Sequence, residues 1–394
     1  MADNAERRRQ RSVSALFFLA LALLLWWAVQ RWQPQLLARF AGPPQILYLS
    51  EDAAGVTQLF VVDSQGGGRR QLTETADPVT GFAPAPDGAK LAYTTSPHAA
   101  GIGGETIWLA EGNGRSPHQL LACPDAVCHH LTWAPDGRRL IFERRALDAA
   151  SGVPGPPRLR WLDTVSGDTL PVLQDDAVAS GASLSPDGRW IAYVAASADA
   201  VQAYDFDSGA SVQVPSQVGM PPVWHPDGGH FLIADLNYTA DVLATPAAVD
   251  EAAAPDDDHD HLGDRHLDLG THLFLVDVAT GERQLLSERL VVEDGAPAWS
   301  PDGAWIAFGR RQARTGAGRQ LWLMRADGSA ARALTDAPLV HHGPPGWSAD
   351  GRFLLFQRYD PTQPQPEPGV WLLEVATGEL RQLADVGFQP VWLP

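Results

Sequence analysis

The chain has 394 residues, 47 acidic against 29 basic side chains, a net charge of -18, and 14 tryptophans. That balance excludes nucleic acid and an anionic membrane surface as partners of the folded domain, because both are bound by clustered cations that release counterions. Lys90 is the only lysine, and the Ala, Gly, Pro and Arg bias points to a GC-rich bacterial genome.

The chain opens with Arg7, Arg8, Arg9 and Arg11, followed by the uncharged, apolar stretch Val13 to Val29. That stretch is long enough to cross a bilayer as a helix, and Trp26, Trp27 and Trp32 suit the interfacial belt. The expectation is a cytoplasmic tail (1–12), one transmembrane helix (13–30) and a stalk (31–44). It places a single-pass protein in the bacterial cytoplasmic membrane, with its N-terminus in the cytoplasm and the remainder extracytoplasmic. The apolar run is longer than the core of a cleaved signal and no clean small-x-small site follows, so it is read as an uncleaved anchor.

From residue 45 onward a repeat dominates. Six copies align on a turn: Pro86-Asp87-Gly88, Pro135-Asp136-Gly137, Pro186-Asp187-Gly188, Pro226-Asp227-Gly228, Pro301-Asp302-Gly303 and Ala349-Asp350-Gly351. A short apolar strand precedes each turn, carrying Trp133, Trp224, Trp299 or Trp347, or Pro84 or Leu184 in the same place, and a second apolar strand follows. Pro presets φ, Asp bonds local backbone and Gly supplies positive φ, so each copy predicts a hairpin. A third strand, such as Leu273 to Val276 or Leu321 to Met324, and a fourth after a Gly-containing turn complete a four-stranded propeller blade.

The last residues, Trp392-Leu393-Pro394, open a seventh copy whose continuation lies at Gln45 to Tyr48. The predicted fold is therefore all-β. It is a seven-bladed β-propeller over 45–394, closed by a composite blade from both ends and preceded by one N-terminal transmembrane helix. The recurring tryptophans are read as packing between sheets. Blade geometry sends the connections of variable length (94–105, 143–157, 235–270, 309–319 and 357–368) to one rim, where binding is expected.

Three groups of residues stand out. Cys123 and Cys128 form an even, close pair that predicts a disulfide in an extracytoplasmic domain. His129 and His130, and His341 and His342, precede inner strands and are placed at the channel mouth as candidate ligand-binding residues. The insertion 235–270 holds Asp256, Asp258, His259, His261 and His266, which are candidate ligands for a divalent metal, although their spacing matches no defined site. Gly181-Ala-Ser-Leu-Ser lacks the second Gly of a hydrolase nucleophile elbow.

The repeat Trp299-Ser-Pro-Asp-Gly, continued by Gln320 to Thr335, resembles the TolB-type propeller repeat. The resemblance implies an extracytoplasmic propeller with a binding role. The sequence lacks the separate α/β domain of TolB and has seven units where TolB has six. Oligogalacturonate lyases are also similar propellers, with a metal held by histidine at the channel mouth, which the His pairs resemble. The sequence reading is a membrane-tethered, non-enzymatic, monomeric module that binds a protein, peptide or glycan. The alternatives are a metal-dependent carbohydrate-active enzyme and a surface metal-binding protein.

Overall fold

The computed structural model describes residues 43–97, 104–236, 270–287, 291–313 and 315–394. The predicted tail, anchor and stalk, and Asp256, Asp258, His259, His261 and His266 in the insertion, lie outside the described residues. Among the described residues no helix is long and apolar enough to cross a membrane.

Residues Gln45–Pro394 form one compact unit built from seven antiparallel sheets. In the composite blade the inner strand Phe388–Trp392 pairs with Gln45–Glu51, with Trp392 opposite Ile46. The remaining six sheets follow in chain order, with inner strands Val79–Pro84, Ala126–Trp133, Ser180–Leu184, Val223–Trp224, Val292–Trp299 and, in blade seven, the two pieces His341–His342 and Gly346–Trp347. The seven-bladed ring closed by both segments is thus present as the sequence predicts.

The turn chemistry explains why the hairpins recur. In all six Pro/Ala-Asp-Gly turns the Gly has φ between +63° and +74°, a region that other residues enter only with strain. Each turn Asp accepts the amide of the residue two positions on, at 2.7–3.1 Å. A side-chain oxygen therefore takes over a backbone group that a tight turn leaves free.

Packing follows from the two-residue period of the strands. Each sheet buries apolar side chains on both faces, and the described residues form seven buried clusters, one at each seam between neighbouring blades. At the composite seam, for example, Ile46, Tyr48 and Val62 meet Leu355, Val370 and Leu372. No blade buries both of its faces without its neighbours, so the ring is the unit of stability.

The tryptophans do more than fill space. The indole N–H of Trp133, Trp224, Trp299, Trp347 and Trp392 donates to the carbonyl of Ala83, Ser183, Val223, Ala298 and Gly346 respectively, at 2.9–3.3 Å. In every case the acceptor precedes the tryptophan-equivalent residue of the previous blade. Five seams are joined this way. Pro84 and Leu184 carry no such donor, so the seams between the composite blade and blade two and between blades three and four are joined differently.

A candidate site on the variable rim of the ring

The second strands that lead into the long connections end on one rim, at Thr95, Ala146, Leu236, Gln312 and Tyr359. The 1–2 and 3–4 turns on the other rim are short. The variable rim also carries Val153, Met220, Val291, Leu339 and Val386, five of the nine large apolar side chains exposed among the described residues. A cleft of about 850 Å³ opens on it between blade seven and the composite blade, lined by Glu51, Arg69, Glu367, Val386 and Phe388 among others. A second cleft, of about 460 Å³, lies on the opposite rim between blades six and seven, beside Asp302, Trp305 and Asp350. That one is walled largely by turn residues that recur in six of the seven blades, so it is a product of the repeat rather than a feature particular to these blades.

Two charged clusters sit where inner strands meet the variable rim. The first is in blade three. His129 and His130 lie within the inner strand, not in the link ahead of it as the sequence pattern places them. The strand begins early because Ala126 to His129 already pair with Glu143 to Ala146. A bulge follows between His129 and Thr132, with His130 at φ +53°. Consecutive residues of a regular strand point to opposite faces. The bulge overrides this, and the two imidazole rings stand 4.1 Å apart, centroid to centroid.

Glu143 completes the group from the neighbouring strand. Its carboxylate is buried, lies 3.1 Å from His130 Nδ1 and 3.8 Å from His129 Nε2, and accepts the amide of Gly181 in blade four at 2.6 Å. Burial works to raise its pKa, but the hydrogen bonds from His130 and Gly181 prevail and hold it below the ordinary carboxylate range. Its hydrogen bond lifts the pKa of His130, while burial, reinforced by the cation of His130, lowers that of His129. Glu105, on the third strand of blade two, is buried and pushed up to about 7 by desolvation. It accepts the amide of Cys128. Cys123 and Cys128 are disulfide-bonded across the interblade link, which pins the start of the histidine-bearing strand.

The second cluster spans blades six and seven. Arg310 and Asp294 form a bidentate pair at 2.6 and 2.8 Å, with side-chain exposures of only 7% and 0%. The guanidinium also lies 4.6 Å from the centroid of the Trp322 ring. Arg311 pairs with Glu293 at 2.7 Å. Arg319 is half-buried, and its pKa is lowered first by burial and then by the charge of Arg311.

His342 is part of this framework. Its backbone amide and Nδ1 both donate to the Arg319 carbonyl, at 2.9 and 3.0 Å, and its ring packs 5.6 Å from that of Phe356. His341 is exposed beside Tyr359. The two histidine pairs therefore occupy separate clusters. Counted back from the blade tryptophan, His129 and His130 stand four and three residues before Trp133, whereas His341 and His342 stand six and five before Trp347.

Burial lowers the pKa of His342 from the ordinary 6.5 to about 4, with Arg358 and His341 acting in the same direction. In the window between these values the unfolded chain takes up a proton that the folded chain refuses, so stability falls as pH drops from 6.5 toward 4. His342→Gln keeps a donor for the Arg319 carbonyl but cannot titrate. Its stability is expected to fall less than the parent's between pH 7 and 5, by about 2 kcal/mol. Chemical denaturation at both pH values measures the difference, and identical pH dependence in the two proteins would contradict the assignment.

Glu143, Glu105 and the Asp294–Arg310 pair escaped the sequence reading. Glu143 had a visible signal: at its position in the second strand the other blades carry Thr94, Val194, Ala234, Gly309, Gln357 and Leu49, so one blade has an acid where the column is otherwise uncharged. The bulge had none, because its position is filled by Thr80, His130, Gly181, Ala296 or Gln389, which share no side-chain chemistry.

No protein-family model matches the sequence. Among curated proteins, an uncharacterized peptidase, YuxL, of Bacillus subtilis is 26% identical over 195 residues, covering 45% of this chain and 28% of that protein. The chain therefore spans well under half of that relative. Among solved structures, a prolyl endopeptidase superimposes with a TM-score of 0.61 at 12% identity over 89% of this chain and 50% of its own. TolB from Acinetobacter baumannii gives 0.51 at 15% identity over 89% and 67%. An oligogalacturonate lyase from Vibrio parahaemolyticus gives 0.54 at 12% identity over 87% and 86%. These likenesses are of fold: the chain is a seven-bladed β-propeller, an architecture that TolB, a prolyl endopeptidase and an oligogalacturonate lyase also carry.

Proposed function

We propose that the chain is a membrane-tethered, extracytoplasmic propeller that acts as a non-enzymatic binding module for a protein, peptide or glycan, engaged through the variable rim. The observation that carries this reading is the asymmetry of the two rims. Long connections and most exposed large apolar side chains share one rim, over a rigid ring, which is the usual arrangement of a binding surface. Similarity of fold to TolB and to a prolyl endopeptidase is compatible with it, since one fold hosts many unrelated functions.

The test is site-specific photo-crosslinking in intact cells. A crosslinker at Val153, Leu339 or Val386 is expected to trap the same discrete partner, whereas one at Val165, exposed on the opposite rim, traps none. Equal capture from both rims, or none from either, would refute the rim assignment. A second reading, a metal-dependent carbohydrate-active enzyme, is favoured by the imidazole–carboxylate cluster of blade three. Depolymerisation of a polyuronate by the purified chain, lost in Glu143→Gln, would select it.

A further inference from the structure

We propose that His129, His130 and Glu143 hold one divalent transition-metal ion of the zinc class at the seam between blades three and four. The three residues offer donor atoms that all lie within 4.8 Å of one another. Donors about 2.0–2.1 Å from a tetrahedral ion stand roughly 3.3 Å apart. His130 Nδ1 lies 3.1 Å from one oxygen of Glu143 and His129 Nε2 lies 3.8 Å from the other, each within about half an ångström of that spacing.

His129 Nε2 is buried and has no hydrogen-bond partner, which an imidazole nitrogen held against a carboxylate does not ordinarily lack. A metal ion supplies the missing partner. The bulge that turns His130 beside His129 recurs at Gly181, Ala296 and Gln389, so it belongs to the fold. What is particular to blade three is that imidazoles fill the bulge position and the paired position before it, and an acid faces them.

Two nitrogens and one carboxylate suit zinc and its neighbours, whereas calcium takes six to eight oxygens. The protein donors leave a fourth position open. His130, with 67% of its side chain exposed, gives solvent access to it, as in sites that exchange a bound ligand rather than closed structural ones. Glu143 carries the one negative charge of the set and stays bonded to the Gly181 amide through one oxygen. The disulfide at Cys128 fixes the strand on the other side.

The full chain, solubilised, stripped with chelator and titrated with Zn²⁺ by calorimetry, is expected to bind one ion. Co²⁺ in its place is expected to give the visible absorption of a tetrahedral centre. His129→Ala and Glu143→Gln each lose a direct ligand, so affinity is expected to fall by more than the ~10–100-fold typical of losing an outer-shell partner. The triple variant His259→Ala, His261→Ala, His266→Ala is expected to bind as the parent does. Absence of saturable binding, binding that survives both His129→Ala and Glu143→Gln, or binding lost only in the triple variant overturns the proposal. Should metal-free Glu143→Gln melt early through the Gly181 contact, His129→Ala decides, because that ring nitrogen has no hydrogen bond to lose.

Discussion

A chain ending at Val386 is expected to lose at least about 5 kcal/mol of stability, comparable to the whole stability of many domains. The deletion removes Phe388–Trp392, the inner strand of the composite blade. Ile46, Leu47, Tyr48 and Leu49, each at most 1% exposed, would face solvent along a raw strand edge. Trp392 is half-buried, so loss of its side chain contributes only part of the about 3–5 kcal/mol usual for truncating a fully buried aromatic. Unpaired backbone groups of Gln45 to Glu51 add to it. Thermal melting and protease resistance measure the effect. Trp392→Phe separates the components, because it keeps most of the packing and removes the bond to the Gly346 carbonyl, for an expected loss near 1 kcal/mol. A truncated chain that melts with the parent would mean that the ring does not close through its ends.

Replacing Asp294 by alanine is expected to destabilise the ring by about 3–5 kcal/mol, the usual result of leaving one partner of a buried ion pair unmatched. Asp294 is fully buried and Arg310 nearly so, and the guanidinium is walled by Phe308 and Trp322, so it cannot swing out to water without unpacking them. Replacing both partners separates pairing from packing. Asp294→Leu with Arg310→Met is expected to recover most of the loss, since the cost of the single change is an unmatched charge. Urea denaturation of the single and double variants reads this out. A double variant as unstable as Asp294→Ala would show that the pair acts through specific bonds that apolar groups cannot replace.

The architecture was legible because a propeller is written in repeats. Six Asp-Gly turns fix the hairpin register, and the displaced Trp392 reveals the closure. The third strands lie where runs such as Leu273 to Val276 and Leu321 to Met324 place them. The site was less legible, for a physical reason. His129 and His130 attract notice as a pair, but an alternating strand would send them to opposite faces, and only the bulge brings them together. Glu143 lies ten residues beyond Trp133 in another strand and gains its role through pairing with His129, which depends on register. Asp294 and Arg310 meet for the same reason, across a hairpin whose sequence shows only the common turn. His341 and His342 look equivalent to the first pair, yet they stand two residues earlier relative to the tryptophan, and that offset moves His342 under Phe356.

The uneven distribution of indole bonds divides the ring in a way that blade counting conceals. Trp224, Trp299, Trp347 and Trp392 chain blades four, five, six, seven and the composite blade into one long arc. Trp133 ties blade three to blade two and makes a short one. The arcs meet at two junctions where, among the described residues, no indole N–H bond crosses, and at one of these the bond from the Gly181 amide to Glu143 crosses instead. The indole bonds therefore divide seven similar parts into two unequal shells, packed against each other by a buried apolar cluster at both junctions. The smaller shell carries the disulfide, both histidines and the carboxylate that latches it to the larger.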